Sequence, residues 1–504
     1  MINKFKKKFL LLAAGFRQHI SIIFAGIMNR LIILLVLSGI TFFSFGQEKW
    51  DLRMCVDYAL KNNISVRQAD VQARIVALTY EQSKLSQYPS FTFQNSAGYN
   101  FGRNIDPSTN LFTNQEILSS NHSLNMNLDL FNWSSKKNTI AANHYQAEAY
   151  VAGAEKARND IALNVANAYL QILLAVEQAD ISGVQIKQSL EQVSVVTKQV
   201  AAGAVPELNL AELESQLAND SSTLITANSN VTLSVLQLKA LLNIPADSAF
   251  DVAIPAVETI PVESLAELDP AYVYSLALKN MPQQKINDFN LQAAMKNVSA
   301  TKGLLYPAFT LFGGLNSFYS NTQKILPTNP VNMFLPIGQV TVAGTPYTVT
   351  TLEQQPFPTS SVKNTYFKQM NNHFNQSIGI GLSIPIFNAG TARTNWKKAQ
   401  LNAENVELQN AADAQTLKQD IYQAHANAVA ALQKFNASIK GVETAQKAYD
   451  FARKRFEVGL LNAIDLITTQ NNLFRAKINL TSSQYDYVFK IKLLEFFKGQ
   501  GIKL

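Results

Sequence analysis

The sequence contains few of the residues from which most catalytic and metal sites are built. Cysteine occurs once, at Cys55, so no disulfide can form within the chain. After residue 46 only four histidines remain, and no pair of them has the spacing of metal ligands. Neither an HExxH motif nor a phosphate-binding loop is present. We therefore predict no enzyme activity, no metal and no cofactor, and the energy for any transport must come from a partner.

An excess of positive charge is also missing beyond the first 46 residues. The full chain carries 43 basic and 36 acidic residues, a net charge of +7. Six of the basic residues lie in residues 1–46, which contain no acid, so 37 basic residues remain against 36 acidic ones. A chain so close to neutral gives no reason to expect nucleic acid as a partner.

The first 46 residues are typical of an export signal that is removed from the mature protein. Arg30 precedes an apolar run over residues 31–45, and Ser44-Phe45-Gly46 has the small-x-small pattern of a cleavage site. A membrane anchor is the alternative, although the run is shorter than the roughly 20 residues that a bilayer requires. The sequence does not decide whether translation starts at Met1 or at Met28.

Cys55 offers another route to membrane attachment, because Leu52-Arg53-Met54-Cys55 has the outline of a lipidation site. Arg53 and Met54, however, replace the small residues expected before such a cysteine. We interpret Cys55 as a buried residue on a helix face.

Long apolar runs are absent after residue 47, so no transmembrane helix is predicted. Proline is absent from two long segments, 134–201 and 390–457. At 1.5 Å per residue each segment would form a helix roughly 100 Å long, far longer than a globular helix. Within the second segment, small and apolar residues recur at alternating intervals of three and four. This spacing is typical of left-handed coiled-coil packing. This seam consists of Ile421, Ala424, Ala428, Ala431, Phe435, Ser438, Val442, Ala445, Tyr449, Ala452 and Phe456.

Four short motifs each occur twice along the chain. In chain order they are Ala59–Asn62 with Ala277–Asn280, Tyr88-Pro89 with Tyr306-Pro307, Phe131-Asn132 with Phe387-Asn388, and Gly203 with Gly459. The first two pairs share one spacing between their copies, and the last two pairs share a longer one. We therefore predict an internal duplication with one insertion between the two sets of motifs.

Each copy also contains two segments of alternating polarity, which predict strands with one apolar and one polar face. The predicted strands are 89–102, 122–132, 307–319 and 377–387. Their polar faces carry Asn, Gln, Ser, Gly and Thr with almost no Lys or Glu, and aromatic residues cluster near their ends. A soluble sandwich with its apolar faces inward is one interpretation. A transmembrane barrel with its apolar faces toward lipid is the other, and the export signal favours it.

The predicted organisation is two repeats, 47–245 and 270–504, joined by a linker over 246–269 that contains prolines. Each repeat starts with a helix, 51–86 or 270–304, that ends at a Tyr-Pro step. After its two strands, each repeat continues through a long helix to a turn at Gly203 or Gly459, where glycine supplies a left-handed cap. The long helices are 134–201 and 390–457, and the return helices that follow the turns are 207–242 and 462–497.

The insertion that lengthens the second spacing falls within about 320–376, a segment rich in Thr, Asn, Pro and Gln. We expect it to form a long polar loop on the outer side of an outer membrane, opposite the short helical connections. The sequence does not indicate its role.

Four strands cannot close a barrel, and open strand edges are not tolerated in lipid. Two chains would supply 8 strands around a filled interior, whereas three would supply 12 around an open lumen. The predicted fold is therefore mainly α with a transmembrane β-barrel portion. It is a trimeric 12-stranded barrel, with four strands per chain, continued by a long α-helical barrel.

This pattern resembles the TolC family of outer-membrane efflux channels over essentially all of residues 48–500. The resemblance rests on the duplicated order of elements, the two Tyr-Pro steps and the motif Arg455-Phe456-x-Val458-Gly459-Leu460. It implies a homotrimer in the cell outer membrane, in contact with its lipid and extended by helices into the periplasm. Such a channel passively conducts substrates of efflux or type I secretion, which a periplasmic membrane-fusion adaptor and an inner-membrane pump deliver.

The resemblance also implies functional residues at the helical turns. Val458, Gly459 and Leu460 match the family's tip motif that contributes to adaptor docking. The first turn departs from that motif, so docking there is expected to differ; it consists of Ala202, Gly203 and Ala204.

Family channels narrow at the periplasmic tip, where acidic residues line the pore. The matching position is Asp465, and Thr468 occupies the place of a second acid found in some members. Asn209 and Glu212 are their equivalents in the first repeat. Three Asp465 carboxylates around one axis would repel one another and attract cations. The alternative is that Asp465 is a solvated residue near a helix start, favoured by the helix dipole.

Two other functions remain open on the sequence alone: a periplasmic adaptor, and an elongated coiled-coil scaffold without a pore. The transported substrate and the identities of the pump and adaptor are not indicated.

Overall fold

A computed structural model of the chain describes residues 49–105, 110–255, 257, 260–325, 328–358 and 362–499. The predicted export signal over residues 1–46 lies outside these residues, as do both candidate start methionines. The helices are α1 (Leu52–Asn62), α2 (Ile64–Leu85), α3 (Ser135–Ala201), α4 (Glu207–Leu242), α5 (Pro270–Asn280), α6 (Pro282–Gly303), α7 (Tyr366–Asn372), α8 (Thr391–Glu457) and α9 (Ala463–Phe497). The strands are β1 (Ser90–Asn100), β2 (Arg103–Ile105), β3 (Phe112–Asn114), β4 (Ile117–Phe131), β5 (Ala308–Ser320), β6 (Lys324–Ile325), β7 (Thr328–Val342), β8 (Thr345–Pro358), β9 (Val362–Lys363) and β10 (Asn375–Ser383).

The first helix of each predicted repeat is divided in two, which corrects the prediction of continuous helices over 51–86 and 270–304. The breaks fall at Asn63 and Met281, whose extended backbones have ψ values of 132° and 129°. The Asn63 side chain accepts a hydrogen bond from the N–H of Ser65 at 2.9 Å and so starts a new helix. Pro282 starts α6 and disfavours a helical conformation at the residue before it. Asn63 and Met281 are as far apart in sequence as Tyr88 and Tyr306. The two breaks therefore occupy equivalent positions in the two repeats.

Four strands form one antiparallel sheet in the order β1-β4-β5-β10. Phe93 lies opposite Leu124, and Leu124 lies opposite Leu315. Directly opposed residues point to the same side of a sheet, so the alternating apolar residues of neighbouring strands share one face. Among the described strands, β1 and β10 have no partner on their outer edges.

Two strand ends differ from the predicted spans by more than two residues. β4 begins at Ile117 instead of residue 122, because β1 continues to Asn100 and pairs with it there. β10 ends at Ser383 instead of residue 387, because its partner β5 begins opposite that residue, at Ala308. Phe387 is therefore outside the strand and 88% exposed.

The two long helices, α3 and α8, each contain 67 residues. Every residue of α8 that is buried belongs to the predicted seam, so the seam is confirmed as the packing surface of this helix. Because most of these residues are alanines, neighbouring helices can approach closely. The buried residues of α8 are Ile421, Ala424, Ala428, Ala431, Tyr449 and Ala452.

The helices pack side by side in two successive groups. Next to the sheet the packing order is α2, α3, α6 and α8, and farther from it the order is α4, α3, α9 and α8. An apolar core around Cys55 and Tyr169 lies between the groups, with a second core around Ile421 and Ile491. Cys55 is completely buried, which confirms its assignment as a core residue. None of the helices described has an apolar stretch long enough to cross a bilayer.

The repeated Phe-Asn motif lies where a strand is followed by a long helix. The Asn132 side chain accepts a hydrogen bond from the N–H of Lys136 at 3.2 Å, and Asn388 accepts one from Ala392 at 3.5 Å. Each asparagine is followed by two residues with positive φ, the first at 49° in Trp133 and at 53° in the equivalent residue of the second repeat. The motif therefore initiates the long helix through an asparagine that caps its first turn and a left-handed turn of the backbone.

The segment 320–376 is not the long polar loop that its composition predicts. It contains a long hairpin of β7 and β8, a short β6-β9 pair and the helix α7. The composition misled because apolar residues alternate with Thr, Asn and Gln over much of both hairpin strands, and Thr itself favours strands.

Candidate helical tips and pore-constriction residues

Both long helices end in the same backbone turn. Gly203 and Gly459 have φ values of 72° and 76°. The N–H of the next residue, Ala204 or Leu460, bonds to the carbonyl five residues earlier at 2.9 or 2.8 Å. This is the Schellman arrangement, which satisfies carbonyl groups left free at a helix end. An added Cβ would meet no atom within 4 Å at either glycine, so the backbone conformation alone selects glycine here.

The two turns lead into their return helices differently. At the second turn, the Asn462 side chain accepts a hydrogen bond from the N–H of Asp465 at 2.8 Å and caps α9. At the first turn, Pro206 precedes α4 and no side chain caps it. The equivalent turns of the two halves are therefore alike in backbone but not in capping.

The side chains exposed at the turns differ in the same way. Val458 and Leu460 are each 69% exposed, and Ile464 is 56% exposed. The Arg455 guanidinium donates to the Leu460 carbonyl at 3.3 Å and spans this turn. The first turn itself exposes only the small residues 202–204, although Leu208, the equivalent of Ile464, is 65% exposed on α4. The second tip is therefore the more apolar surface of the two.

The predicted constriction residues lie on the first two turns of the return helices. Asp465 is exposed, and its charge lies near the positive end of the α9 dipole. Thr468 donates its hydroxyl hydrogen to the Ile464 carbonyl at 2.8 Å. Asn209 and Glu212 are half-buried on α4. Within the part of the chain that the structure describes, no side-chain hydrogen bond or ion pair joins these four residues.

An apolar cluster nevertheless brings the two return helices together at the tip. Leu213 of α4 and Ala463 of α9 pack with Val196 of α3, and all three are buried. Glu212 directly precedes Leu213, and Asp465 follows Ala463 by two positions. The acidic residues of the two halves therefore flank one cluster.

A buried polar network above the tip was missed by sequence reasoning. The Ser189 hydroxyl donates to Asp220 at 2.5 Å, and the Gln216 amide donates to the same carboxylate at 2.8 Å. The Gln470 amide donates to Ser189 at 3.2 Å, and Asn471 exchanges hydrogen bonds with Gln216. These contacts join α3, α4 and α9. One signal was available, because Asp220 lies two helical turns after Leu213, on the buried stripe of α4.

Aromatic side chains gather where the helices meet the sheet. The Trp133 ring lies 5.4 Å from Phe131 and 5.0 Å from Tyr306, between ring centroids, and its indole N–H donates to the Pro307 carbonyl at 2.8 Å. At the other end of the sheet, Tyr99 and Phe101 stack at 6.1 Å. The exposed apolar face of the sheet is thus bounded by rings at both ends. No cluster of potential metal ligands occurs among the residues described.

Comparisons with known proteins agree on one family. The profile of the family described as "Outer membrane efflux protein" matches residues 55–243 and 273–490. The chain is 22% identical over 433 residues to outer membrane efflux protein BepC of Brucella suis, covering 85% of this chain and 81% of that protein. It is 21% identical over 330 residues to outer membrane protein TolC of Escherichia coli, covering 65% of this chain and 58% of that protein.

The fold has solved counterparts as well. The outer membrane protein VceC of Vibrio cholerae superimposes with a TM-score of 0.70 at 15% identity, covering 90% of this chain and 97% of VceC. At that identity the likeness establishes the fold, with nearly the whole length of both chains included.

Proposed function

The chain belongs to the outer membrane efflux protein family, and we propose that it is the outer-membrane exit channel of a tripartite efflux or type I secretion system. The observation that carries this proposal is the union of a sheet with one apolar face and two helices of 67 residues in one chain. The sheet suits a bilayer, and the helices suit a conduit that crosses the periplasm.

We infer that three copies close the barrel. The four-stranded sheet exposes the edges of β1 and β10, and lipid cannot satisfy the backbone groups of an open edge. Consecutive strands of the sheet are antiparallel, so β10 of one copy would also run antiparallel to β1 of the next. Three copies would give a 12-stranded barrel with an open lumen.

The faces of the sheet suit that arrangement. The apolar face would contact lipid, and the rings around Trp133 and Tyr99 would lie at the two membrane interfaces. The opposite face, which includes Gln94, Ser123 and Asn125, would line a water-filled lumen.

An internal duplication accounts for the paired geometry of the two halves. The breaks at Asn63 and Met281 keep the shorter motif spacing, and the left-handed glycines at the tips keep the longer one. With three chains, six similar units would surround one axis, which suits a helical barrel.

We further propose that the tips form the gate and the docking site. Asp465, with Thr468 and with Asn209 and Glu212 from the first repeat, would narrow the periplasmic end of the pore. Val458, Gly459 and Leu460 would contact a periplasmic adaptor, which couples the channel to an inner-membrane pump. Residues 202–204 would make a weaker contact because they offer little apolar surface.

Detergent extraction from outer membranes, followed by conductance measurement in planar bilayers, tests the channel itself. We expect a detergent-dependent trimer with discrete conductance steps. A protein that stays soluble without detergent, or a trimer that never conducts, would overturn the channel function.

The gate is tested by Asp465→Ala in the same bilayers. Removing three repelling carboxylates from a constriction should raise single-channel conductance and weaken block by divalent cations. Asp247→Asn, which neutralises an exposed carboxylate in the linker far from the tip, is the control and should change neither quantity. Equal conductance and equal block in wild type and Asp465→Ala would remove the gate assignment.

A further inference from the structure

The hairpin of β7 and β8 is long, nearly uncharged and uncovered. Its two strands contain 15 and 14 residues joined at Ala343-Gly344, and among the described strands they pair only with each other. Within residues 328–358 the one charged residue is Glu353. A solvated loop normally carries more charge than this. An exposed apolar surface of this length therefore indicates that another surface covers the hairpin.

The register divides the hairpin into an apolar and a polar face. Val340 lies opposite Tyr347, and Met333 lies opposite Glu353. One face carries mostly large apolar side chains that are between 38% and 57% exposed. They are Val331, Met333, Val340, Val342, Tyr347, Val349 and Phe357. The opposite face carries mainly Thr, Asn, Gln and Pro, with Phe334 and Leu352 as its one large apolar pair.

Prolines block both edges of the hairpin. Pro330 lies opposite Pro356, and neither can donate a backbone hydrogen bond, so this pair is of the non-hydrogen-bonded type. Pairs alternate along a ribbon, and Pro336 and Pro346 therefore occupy positions of the same type, where the backbone N–H would point outward. Proline at outward positions prevents the addition of another strand. Any partner must therefore approach the face of the hairpin and not its edge.

We propose that the apolar hairpin faces of the three copies pack against one another in the assembled channel. This inference rests on the proposed trimer. The hairpin is inserted between β5 and β10, and β10 is the edge strand through which each copy would join its neighbour. Three hairpins are thus held at high local concentration. Glu353 lies on the apolar face, where a carboxylate disfavours contact with lipid but is accommodated at the rim of a protein interface.

Disulfide trapping in intact outer membranes tests this packing. In a Cys55→Ala background, Val340→Cys places a thiol on the apolar face, and Gln339→Cys places one on the polar face one residue away. After mild oxidation we expect at least fivefold more covalent dimer from Val340→Cys than from Gln339→Cys. Met333→Cys and its control Asn332→Cys repeat the comparison nearer the base of the hairpin. This second pair shows whether a result at residue 340 is due to local misfolding.

The outcomes separate this inference from the channel function. More covalent dimer from the apolar-face cysteine than from its polar-face control, at either pair of positions, supports the packing. Equal trapping on both faces, or none, in a protein that is still trimeric and conducting overturns the packing alone. Quenching of a fluorophore at Val340→Cys by nitroxide lipids assigns the face to the membrane and also overturns it. A monomeric, non-conducting protein overturns the packing together with the proposed function.

Discussion

Ser189 on α3 donates its hydroxyl hydrogen to the Asp220 carboxylate on α4 across 2.5 Å, and the two residues are only 1% and 7% exposed. The carboxylate has a second donor in Gln216, and Ser189 accepts from Gln470 of α9. Three helices just above the tip are therefore fixed to one another by hydrogen bonds in a buried site.

Replacing Asp220 with Ala should destabilise the folded protein by about 1–3 kcal/mol, because Ser189 and Gln216 would lose a shared acceptor in a buried site. Asp220→Asn keeps an acceptor oxygen and should destabilise it less. Asp180→Ala, at an exposed position on α3, is the control and should have little effect. Denaturant titration of the detergent-solubilised protein measures all three. A shift for Asp180→Ala as large as that for Asp220→Ala would show that the network contributes nothing specific.

Glycine-to-alanine substitutions should have opposite effects inside α8 and in the turn that follows it. Gly459 has a φ of 76°, a conformation that destabilises a non-glycine residue by roughly 1–2 kcal/mol. Gly441 lies inside the helix with no atom within 4 Å of an added Cβ, so Gly441→Ala should stabilise by about 0.5–1 kcal/mol. Thermal unfolding of the two variants gives the sign directly. Equal shifts of the same sign would contradict the backbone argument.

Cys55 should resist thiol reagents in the native protein. Burial, followed by the nearby Asp51 charge, raises the pKa of this thiol from 9.0 to about 12, so almost no thiolate forms at pH 8. A folded-state pKa above the unfolded one gives stability that is complete below pH 9 and is lost as the pH rises from there through about 12. Maleimide labelling at pH 8 should be slow in the native state and fast in denaturant. Rapid native labelling would contradict the buried assignment.

Leu460→Asp should weaken adaptor binding without altering the channel. The side chain is 69% exposed on the apolar tip, so a charge there should disrupt docking more than folding. Crosslinking to the adaptor and an export assay should both fall by roughly tenfold or more. Leu208→Asp, at a 65% exposed leucine beside the first tip, is the matched variant and should have a smaller effect. Equal losses would place docking on both tips.

The spacing of apolar residues along the sequence predicted the strand faces and the long helices correctly. The alternating residues around Phe93 and the seam around Ala428 predicted which faces are shared and which are buried. Proline-free segments predicted long helices, and the Gly203 and Gly459 turns marked their ends. These features depend on backbone preference and side-chain size, which the sequence states directly.

Contacts between distant segments were harder to predict. The continuous helix over 51–86 failed at Asn63, because an asparagine can cap a new helix as readily as it can sit within one. The network around Asp220 depends on Gln470 and Asn471 of α9, in the other half of the chain, and no local pattern reveals those contacts. The hairpin after β6 was hidden by a composition that suits loops and strands equally.

The uncovered edges of β1 and β10 have a consequence for how this protein is made. If each barrel needs strands from three copies, a chain cannot complete its membrane fold before meeting its partners, so folding and assembly become one concentration-dependent event. A copy with an intact helical part but a damaged edge strand would still assemble with wild-type copies. The resulting mixed trimers would then fail to close their barrels. Damage to this sheet should therefore be genetically dominant, whereas loss of the whole chain should be recessive.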